Sequence, residues 1–292
     1  MSRPIDLPPA LDATRKTLEH RRLKTISYYV GGPEDAPPLV LIHSINAAPS
    51  AFEMKPLFDQ YRATRRVYVP ELPGFGFSDR SDRAYSPELY AESINAFLKE
   101  VVGQPVDLVA FSLSSEFAAR AVLNAPSQFS SLVLLSPTGF SKRRLPSGET
   151  GKLHRFFPLP GVTKGLYKLL TSRRSIRFFL QLSYVTTPPD ELIDYAYATA
   201  HQPGARHAPY RFLSGQLFSA EAHSNLYAKL ELPVLVIHDR DANVTFEALP
   251  EVVEGHDNWE VALVQPTLGI PQWERPAETC AAIDAFWQRQ FH

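Results

Sequence analysis

The sequence predicts an α/β protein with a doubly wound, mostly parallel sheet and a helical cap inserted into it. Seven short apolar runs, each bounded by turn residues, alternate along the chain with stretches of helical periodicity. This alternation is typical of a parallel sheet that is covered by helices on both faces. The runs are continuously apolar, as expected for strands that are buried on both sides.

The predicted elements leave one long gap without strands. The strands are KTISYYV, PLVLIH, RRVYVPE, VDLVAF, SSLVLLSP, LPVLVIHD and WEVALVQP, and the helices lie around residues 51–60, 87–101, 114–123 and 277–291. Between Leu134 and Pro233 the pattern is helical only. We therefore predict a sheet core at residues 1–138 and 226–292, with a helical cap at residues 139–225. Such a cap would cover the carboxyl ends of the strands, where open α/β sheets bind ligands.

Composition excludes several classes of function. The 292 residues are 44% hydrophobic, and the formal net charge of −1 gives no field that attracts nucleic acid. The sequence shows no nucleotide loop, metal spacing or nucleic-acid motif, so we expect no cofactor, no metal and no nucleic-acid partner. It has neither an apolar N-terminal signal nor an apolar run of membrane-spanning length. The single cysteine, Cys280, falls on the apolar face of a predicted helix, and we expect a reduced, cytoplasmic protein.

A serine occupies the predicted turn between a buried strand and a helix. The segment VDLVAFSLSSEFAAR places Ser112 directly after the strand, with the small residues Ala110 and Ser114 two positions away on either side. Small residues are needed there because the chain reverses within three residues. A-F-S-L-S is a variant of G-x-S-x-G, a turn that exposes a nucleophilic serine and directs the next N–H, here that of Leu113, toward an oxyanion. The alternative role for Ser112 is a helix-capping hydroxyl.

The segments around this turn resemble the α/β-hydrolase superfamily. The likeness is carried by PPLVLIHSINAAPSAF, RRVYVPELPGFGFSDRSDRAYSPELYAESINAFL and PVDLVAFSLSS, in that order and spacing. It runs from about Lys24 to the C-terminus and is closest to the capped esterases, epoxide hydrolases and carbon–carbon bond hydrolases. The resemblance implies a sheet of the α/β-hydrolase type and a Ser-His-Asp triad. An aspartyl-ester mechanism is disfavoured, since Ser112 stands where that aspartate would be.

The resemblance also assigns the second oxyanion donor and the acid. A His-Gly pair usually ends the strand before the oxyanion loop. Here the pair is His43-Ser44, which nominates the N–H of Ile45. The segment LPVLVIHDRDANV resembles the strand and loop that carry the acid, so Asp241 is the expected residue and Asp239 the fallback. Alternatively, both aspartates only shape a turn.

The base is missing from its expected position. In the superfamily a histidine precedes a Glu-x-Pro sequence by five residues, and five residues before Glu274 lies Gly269. Glycine cannot accept a proton, so the relay between Ser112 and Asp241 is interrupted. We consider His238 and His43 as substitute bases, although both positions are also typical of structural histidines. A displaced histidine, natural loss and deliberate replacement of the base all remain open.

The predicted cap is unusually basic. Residues 142–177 contain ten Lys and Arg residues against the single acid Glu149, with Phe156, Phe157, Phe178 and Phe179 among them. We expect a solvated basic face with the phenylalanines lining the pocket beneath it. The alternative is weak contact with an anionic membrane or a CoA ester.

These features predict a protein that acts on a small apolar ester-, thioester- or lactone-like compound in a capped pocket, with a degenerate Ser-(His)-Asp triad. Two alternatives remain open. The chain is either a non-catalytic ligand-binding pseudo-hydrolase, or a lyase or cyclase that uses the same pocket without an acyl-enzyme.

Overall fold

The computed structural model describes residues 5–142 and 160–290, and for residues 160–164 the backbone alone. Across these ranges the chain forms one eight-stranded sheet with helices on both faces. None of the helices in the described part combines the length and the apolar composition that a bilayer crossing requires. The predicted fold class is confirmed.

The sheet is parallel except at one edge. The strands lie in the order β1-β2-β4-β3-β5-β6-β7-β8, with β1 and β2 antiparallel to each other and β2 antiparallel to β4. The remaining neighbours are parallel. The strands are β1 (Thr14–His20), β2 (Lys24–Gly31), β3 (Pro38–Ile42), β4 (Arg66–Pro70), β5 (Val106–Phe111), β6 (Phe129–Leu135), β7 (Val234–His238) and β8 (Trp259–Leu263).

All seven predicted strands are present, and β1 is the strand that the sequence did not reveal. Its sequence TRKTLEH has one aliphatic residue, Leu18, and most of its side chains are exposed. An edge strand of this kind pairs with β2 alone and buries little, so it lacks the apolar run that marks the other strands.

The two faces of the sheet build two separate cores. Along β3, Val40 and Ile42 enter the core under α2 (Pro87–Phe97) and α3 (Ser114–Asn124). Leu39 and Leu41 point the other way, into the core under α1 (Lys55–Tyr61) and α11 (Pro276–Gln290). Alternate side chains of a strand face opposite sides, so a strand between two helical layers must be apolar at every position.

The helices begin and end where local chemistry requires it. Ser86 caps α2 by accepting a hydrogen bond from the Leu89 N–H at 3.3 Å, and Pro87 occupies the first turn, where its missing N–H costs nothing. The helix α3 ends at Asn124, because Ala125 precedes Pro126 and takes φ −150°.

Between β6 and β7 the described chain is helical. This segment, which we call the helical insertion, contains α4 (Pro160–Leu170), α5 (Arg173–Leu182), α6 (Asp190–Ala200), α7 (His207–Leu213) and α8 (Ala222–Asn225). The ring of Tyr195 on α6 stacks on Phe52, just after β3, with centroids 4.8 Å apart. The insertion therefore contacts the segment between β3 and α1; that it caps the carboxyl ends of the strands stays a prediction. The remaining helices are α9 (Leu249–Glu254) and α10 (Pro271–Glu274).

The phenylalanines of α5 do not line a pocket, contrary to the sequence-based expectation. Phe178 is 60% exposed and Phe179 is 51% exposed, whereas Ile176 is the buried residue of this helix. The helix turns its short apolar side chain inward and its aromatic rings outward, next to exposed arginines such as Arg174. Contact of this face with an anionic surface stays a prediction. Phe156 and Phe157 lie outside the described residues.

Candidate active site

Ser112 sits on a strained turn between β5 and α3. Its φ of +55° lies in the left-handed region, which costs a non-glycine residue roughly 1–3 kcal/mol. The surrounding backbone holds this conformation, because the Ser112 N–H donates to the Leu135 carbonyl at 2.9 Å. The side chain is half-buried, and its hydroxyl makes no hydrogen bond to any residue in the described ranges. The turn thus presents a free serine oxygen at the carboxyl end of the sheet.

The small residues around Ser112 allow the turn to pack against the next strand. Ser114 donates its hydroxyl to the His43 carbonyl at 2.6 Å, which joins the start of α3 to the end of β3. Ser115 donates back to the Ala110 carbonyl at 3.4 Å. All four residues are buried, so a larger side chain at position 110 or 114 would separate the two strand ends.

Two backbone donors near Ser112 are unpaired. Neither the Ile45 N–H nor the Leu113 N–H donates to a described residue, although both residues are 1% exposed. Ile42 on β3 lies beside Ala110 on β5 in the sheet. Ile45 and Leu113 each follow three residues after these paired positions, so the two donors follow neighbouring strand ends. Unpaired backbone N–H groups in a protein interior are rare. Their position is suited to an anionic oxygen on a ligand bound over Ser112.

The loop that carries Ile45, residues 43–50, is held by a buried carboxylate that the sequence reading missed. Glu53 accepts the Ser44 N–H at 2.8 Å, the Ser44 hydroxyl at 3.0 Å and the Asn46 side-chain amide at 3.1 Å. Burial raises the pKa of Glu53 to about 7. The serine in the His-Ser pair therefore fixes the loop through its hydroxyl, a bond that glycine cannot make.

His43 is a structural histidine. Its Nδ1 donates to the Ser44 carbonyl at 2.7 Å, and its Nε2 accepts the Leu72 N–H at 3.0 Å. Burial lowers its pKa to about 4, so the ring is neutral near pH 7. Because both nitrogens are engaged with the backbone, this geometry opposes His43 as a substitute base.

The two candidate acids have different surroundings. Asp239 accepts the Thr267 N–H and the Gln265 side-chain amide, both at 2.9 Å, and so anchors the chain after β8. Asp241 accepts the N–H groups of Asn243 and Val244 with Oδ1 alone, at 2.7 and 3.2 Å. Burial raises the pKa of Asp241. Its Oδ2 has no donor in the described part of the chain.

Gly269 lies directly against Asp241. An ideal Cβ at Gly269 would stand 2.5 Å from the Asp241 Oδ2 and 3.0 Å from its Cγ. The φ of Gly269 is +120°, which side chains of L-residues rarely adopt. The structure thus brings together the two positions that the resemblance pairs as base and acid. The backbone at position 269 has a positive φ that glycine adopts without the strain expected for other residues.

No hydrogen bond in residues 5–142 and 165–290 joins a histidine to Ser112 or Asp241. The Nδ1 of His238 lies 3.1 Å from the Asp239 carbonyl, and its ring packs on Phe246 with centroids 4.2 Å apart. Burial lowers the pKa of His238. These contacts turn His238 toward its own loop, and they are typical of a packed histidine at a strand end.

Glu274, the acid of the Glu-x-Pro sequence, joins the Gly269 loop to the helical insertion. One carboxylate oxygen accepts the Leu268 N–H at 2.7 Å, and the other accepts the Val185 N–H after α5 at 2.6 Å. The adjacent Trp273 donates its indole N–H to the Glu53 carbonyl at 2.9 Å. Glu274 and Trp273 therefore hold the Gly269 loop to the helical insertion and to the residues after β3.

A small cavity of about 10 Å³, room for one water molecule, lies between the 43–50 loop and the helical insertion. The residues lining it are Ala47, Ala48, Pro49, Gly74, Phe75, Arg80, Tyr167, Thr199, Ala200 and Ala205. Most of this lining is apolar, and Arg80 is its cationic member. Ser112 is not part of the lining, but the loop that carries Ile45 continues directly into it. No motif in the sequence indicated Arg80.

Comparisons with known proteins give the family and the fold. A sequence model of the alpha/beta hydrolase family matches residues 39–282. The chain is 24% identical over 218 residues to 2-hydroxymuconate semialdehyde hydrolase of Pseudomonas sp. (strain CF600), covering 71% of each protein. It superimposes on a membrane phospholipase A with a TM-score of 0.76 and 21% identity, over 96% of this chain and 87% of that one. It superimposes on carboxylesterase CesB of Bacillus subtilis with a TM-score of 0.71 and 16% identity, over 95% of this chain and 93% of that one. The chain belongs to the alpha/beta hydrolase family.

Proposed function

We propose that this protein binds a small, largely apolar ester-, thioester- or lactone-like compound over Ser112, beneath the helical insertion. The ligand carbonyl accepts hydrogen bonds from Ile45 and Leu113, and Ser112 acts on the polarised carbon. The observation that carries this proposal is the pair of unpaired backbone donors in buried residues beside a strained serine. Strain and unpaired donors both cost stability, and both serve a bound ligand.

The missing histidine sets the rate of any acyl transfer. In serine hydrolases, loss of the base costs up to about a millionfold in turnover, and the oxyanion donors with binding retain roughly a thousandfold over water. Asp241 makes its hydrogen bonds to the N–H groups of Asn243 and Val244 and none to Ser112, whereas a base needs direct contact or one bridging water. We infer slow turnover of activated carbonyl compounds, or a lyase or cyclase step in which Ser112 donates a hydrogen bond and no acyl-enzyme forms.

The second candidate function is ligand binding without catalysis. The contact between Gly269 and Asp241 supports it, since any side chain at position 269 would place its Cβ 2.5 Å from the Asp241 Oδ2. Under this proposal the pocket and the oxyanion donors persist, while the means of removing the serine proton is lost.

Labelling with a fluorophosphonate separates the two candidates. The probe reacts with a serine only when the hydroxyl is activated, and intact mass spectrometry reports one adduct per chain. We expect slow labelling that Ser112→Ala abolishes and that Ser127→Ala, a change at an exposed serine, leaves intact. Turnover of p-nitrophenyl esters should follow the same pattern.

Complete absence of labelling at Ser112 after prolonged incubation rejects the catalytic proposal and leaves ligand binding. Labelling that persists in Ser112→Ala rejects the assignment of the nucleophile. Rapid labelling at an ordinary serine-hydrolase rate shows that a base outside the described contacts serves Ser112. In that case single His→Ala variants, beginning with His238, identify the base.

A further inference from the structure

The peptide group that carries the Ile45 N–H is held by its neighbours. Its carbonyl belongs to Ser44 and accepts the Nδ1–H of His43 at 2.7 Å. In a planar trans peptide the N–H points away from the C=O, so this bond fixes the direction of the Ile45 N–H. The Ile45 side chain is 1% exposed and packs into the core under α2 and α3. The direction of this proposed oxyanion donor therefore depends on the loop around it.

The carboxylate of Glu53 binds the residues on both sides of Ile45. Its Oε2 accepts the Ser44 N–H at 2.8 Å, and its Oε1 accepts the Ser44 hydroxyl at 3.0 Å and the Asn46 amide at 3.1 Å. The Asn46 amide also donates to the Ser44 hydroxyl oxygen at 2.8 Å, while its carbonyl accepts the Ala48 N–H at 2.7 Å. Backbone N–H groups can only donate, so the polarity of this network is fixed. Glu53 must act as an acceptor at both of its oxygens.

An uncharged side chain at position 53 does not complete this network. A protonated carboxyl group, or the amide of glutamine, presents a donor at one of its two terminal atoms. If that donor faces the Ser44 N–H, two donors meet. If it lies on the other side, the Asn46 amide loses its acceptor. The loop thus requires the charge of the Glu53 carboxylate as well as its shape.

The backbone of Glu53 is anchored independently of this loop. Its carbonyl accepts the indole N–H of Trp273 at 2.9 Å and the side-chain amide of Gln272 at 3.4 Å. Both residues lie on α10, which begins two residues after Gly269. The Glu53 carboxylate therefore approaches the 43–50 loop from a fixed point, and any change in its charge acts on the loop.

We propose that Glu53 is a positioning residue, whose ionised carboxylate holds Ser44 and Asn46 so that the Ile45 N–H faces the ligand oxygen. This step rests on the proposed function, in which Ile45 donates to an oxyanion. Protonation of Glu53 breaks at least one of the three hydrogen bonds and releases the loop. The oxyanion donor is therefore lost as the pH falls.

The surroundings of Glu53 place this change near neutral pH. Burial raises the pKa of Glu53 to about 7, although the hydrogen bonds that it accepts oppose the shift. The titratable groups on the neighbouring elements are Tyr184 after α5, Glu191 on α6, Glu274 on α10 and His43 on the loop. Burial keeps the tyrosine and the histidine uncharged, and the other two are acids. None of these four groups is a cation near pH 7, so the loop's own donors hold the Glu53 charge.

The test follows the backbone amides of the loop by NMR spectroscopy of ¹⁵N-labelled protein between pH 5.5 and 8.5. In the wild type, we expect the Ser44 and Ile45 signals to shift together with a midpoint near the Glu53 pKa of about 7. In Glu53→Gln, which keeps the size of the side chain, this titration should be absent. In Glu71→Gln it should persist, although that variant removes a second buried carboxyl group whose pKa is about 7.

A second variant tests the proposal even if Glu53→Gln does not fold. Ser44→Ala removes the hydroxyl that donates to the carboxylate and keeps the backbone N–H. Hydrogen bonds to the charged form lower a carboxyl pKa, so the midpoint of the Ile45 signal should rise by roughly one pH unit in this variant. An unchanged midpoint overturns the proposal.

Fluorophosphonate labelling of Ser112 links the loop to the proposed function. At pH 8.5, Glu53→Gln should label at least about tenfold more slowly than the wild type, because loss of one oxyanion donor costs roughly 100–1,000-fold and a released loop still presents it part of the time. At pH 5.5 the wild-type Glu53 is also uncharged, so the two rates should converge. A purely structural defect would slow labelling equally at both pH values, and that result overturns the positioning role.

The two readouts fail separately. Loop signals that do not titrate, or that titrate equally in Glu53→Gln, overturn the role of Glu53 whatever the labelling shows. A titration that Glu71→Gln abolishes belongs to Glu71 and overturns that role as well. Absence of labelling in every protein rejects the catalytic function, while the titration of Ile45 still decides whether Glu53 holds the loop.

Discussion

The contact between Gly269 and Asp241 gives a quantitative prediction. Replacing Gly269 with alanine adds one methyl group to a backbone with φ +120°, at 2.5 Å from a carboxylate oxygen. The backbone strain costs roughly 1–3 kcal/mol. Displacing the carboxylate adds ~1–3 kcal/mol, as forced contacts in packed sites do. We expect Gly269→Ala to lower the free energy of unfolding by about 3 kcal/mol.

A double-mutant cycle separates the two costs. Asp241→Ala removes the oxygen and carbon atoms that the new methyl group would meet, while the backbone strain at Gly269 remains. In that background Gly269→Ala should cost only about 1–2 kcal/mol, so the coupling between the two substitutions should be roughly 1–2 kcal/mol. Urea denaturation followed by circular dichroism and by tryptophan fluorescence measures all four proteins.

Equal costs of Gly269→Ala in both backgrounds would refute the contact. A cost below about 0.5 kcal/mol in the wild-type background would refute the glycine-specific backbone as well.

The same backbone strain bears on restoring the missing histidine. Gly269→His carries the strain of Gly269→Ala, so esterase activity restored by histidine must be compared with the alanine variant. We expect little activity unless the loop moves away from Asp241.

Three further predictions concern other parts of the molecule. Burial raises the pKa of Glu71 from 4.5 to about 7, so the stability that this group contributes is present below pH 4.5 and lost as the pH rises toward 7. In urea denaturation, the free energy of unfolding of Glu71→Gln should therefore rise by about 3 kcal/mol relative to that of the wild type between pH 4.5 and 7. A difference between the two proteins that does not change with pH contradicts this. Glu274→Ala frees the Leu268 N–H, so hydrogen exchange at Leu268 should become at least about tenfold faster, and unchanged exchange refutes the anchoring role. The double variant Phe178→Ser/Phe179→Ser should float less with phosphatidylglycerol vesicles than the wild type does. Membrane contact is rejected if wild-type flotation does not depend on lipid charge, or if the double variant floats as the wild type does.

Much of the fold was predictable because seven of the eight strands carry their own apolar signal. The segments PLVLIH and VDLVAF are apolar at nearly every position, and only a strand covered on both sides requires this. The turn at Ser112 was also local, since a strand, a serine and a helix start follow one another within a few residues. The strand β1 escaped because it makes contacts at a sheet edge and has no apolar pattern of its own.

The site was only partly predictable, because its contacts are distant in sequence. Position counting identified Gly269 and Asp241, but it did not reveal that a glycine backbone with φ +120° packs on the carboxylate. Ser44 stands where the superfamily usually has glycine, and only its contact with Glu53 in the folded chain shows that its hydroxyl holds the loop. Phe178 and Phe179 were placed beneath the helical insertion, because composition does not indicate which face of a helix meets the protein.

By itself the sequence determined the alternation of strands and helices, the serine turn, and the glycine that stands five residues before Glu274 in place of the usual histidine. These are properties of short segments, in which periodicity and turn chemistry act over a few residues. Only the tertiary structure decided that His43 is fully engaged by the backbone. It also decided that, within the described residues, the N–H groups of Ile45 and Leu113 have no acceptor and Arg80 makes no hydrogen bond or ion pair. Hydrogen bonding and burial depend on which distant segments meet, so they become visible only when the chain is folded.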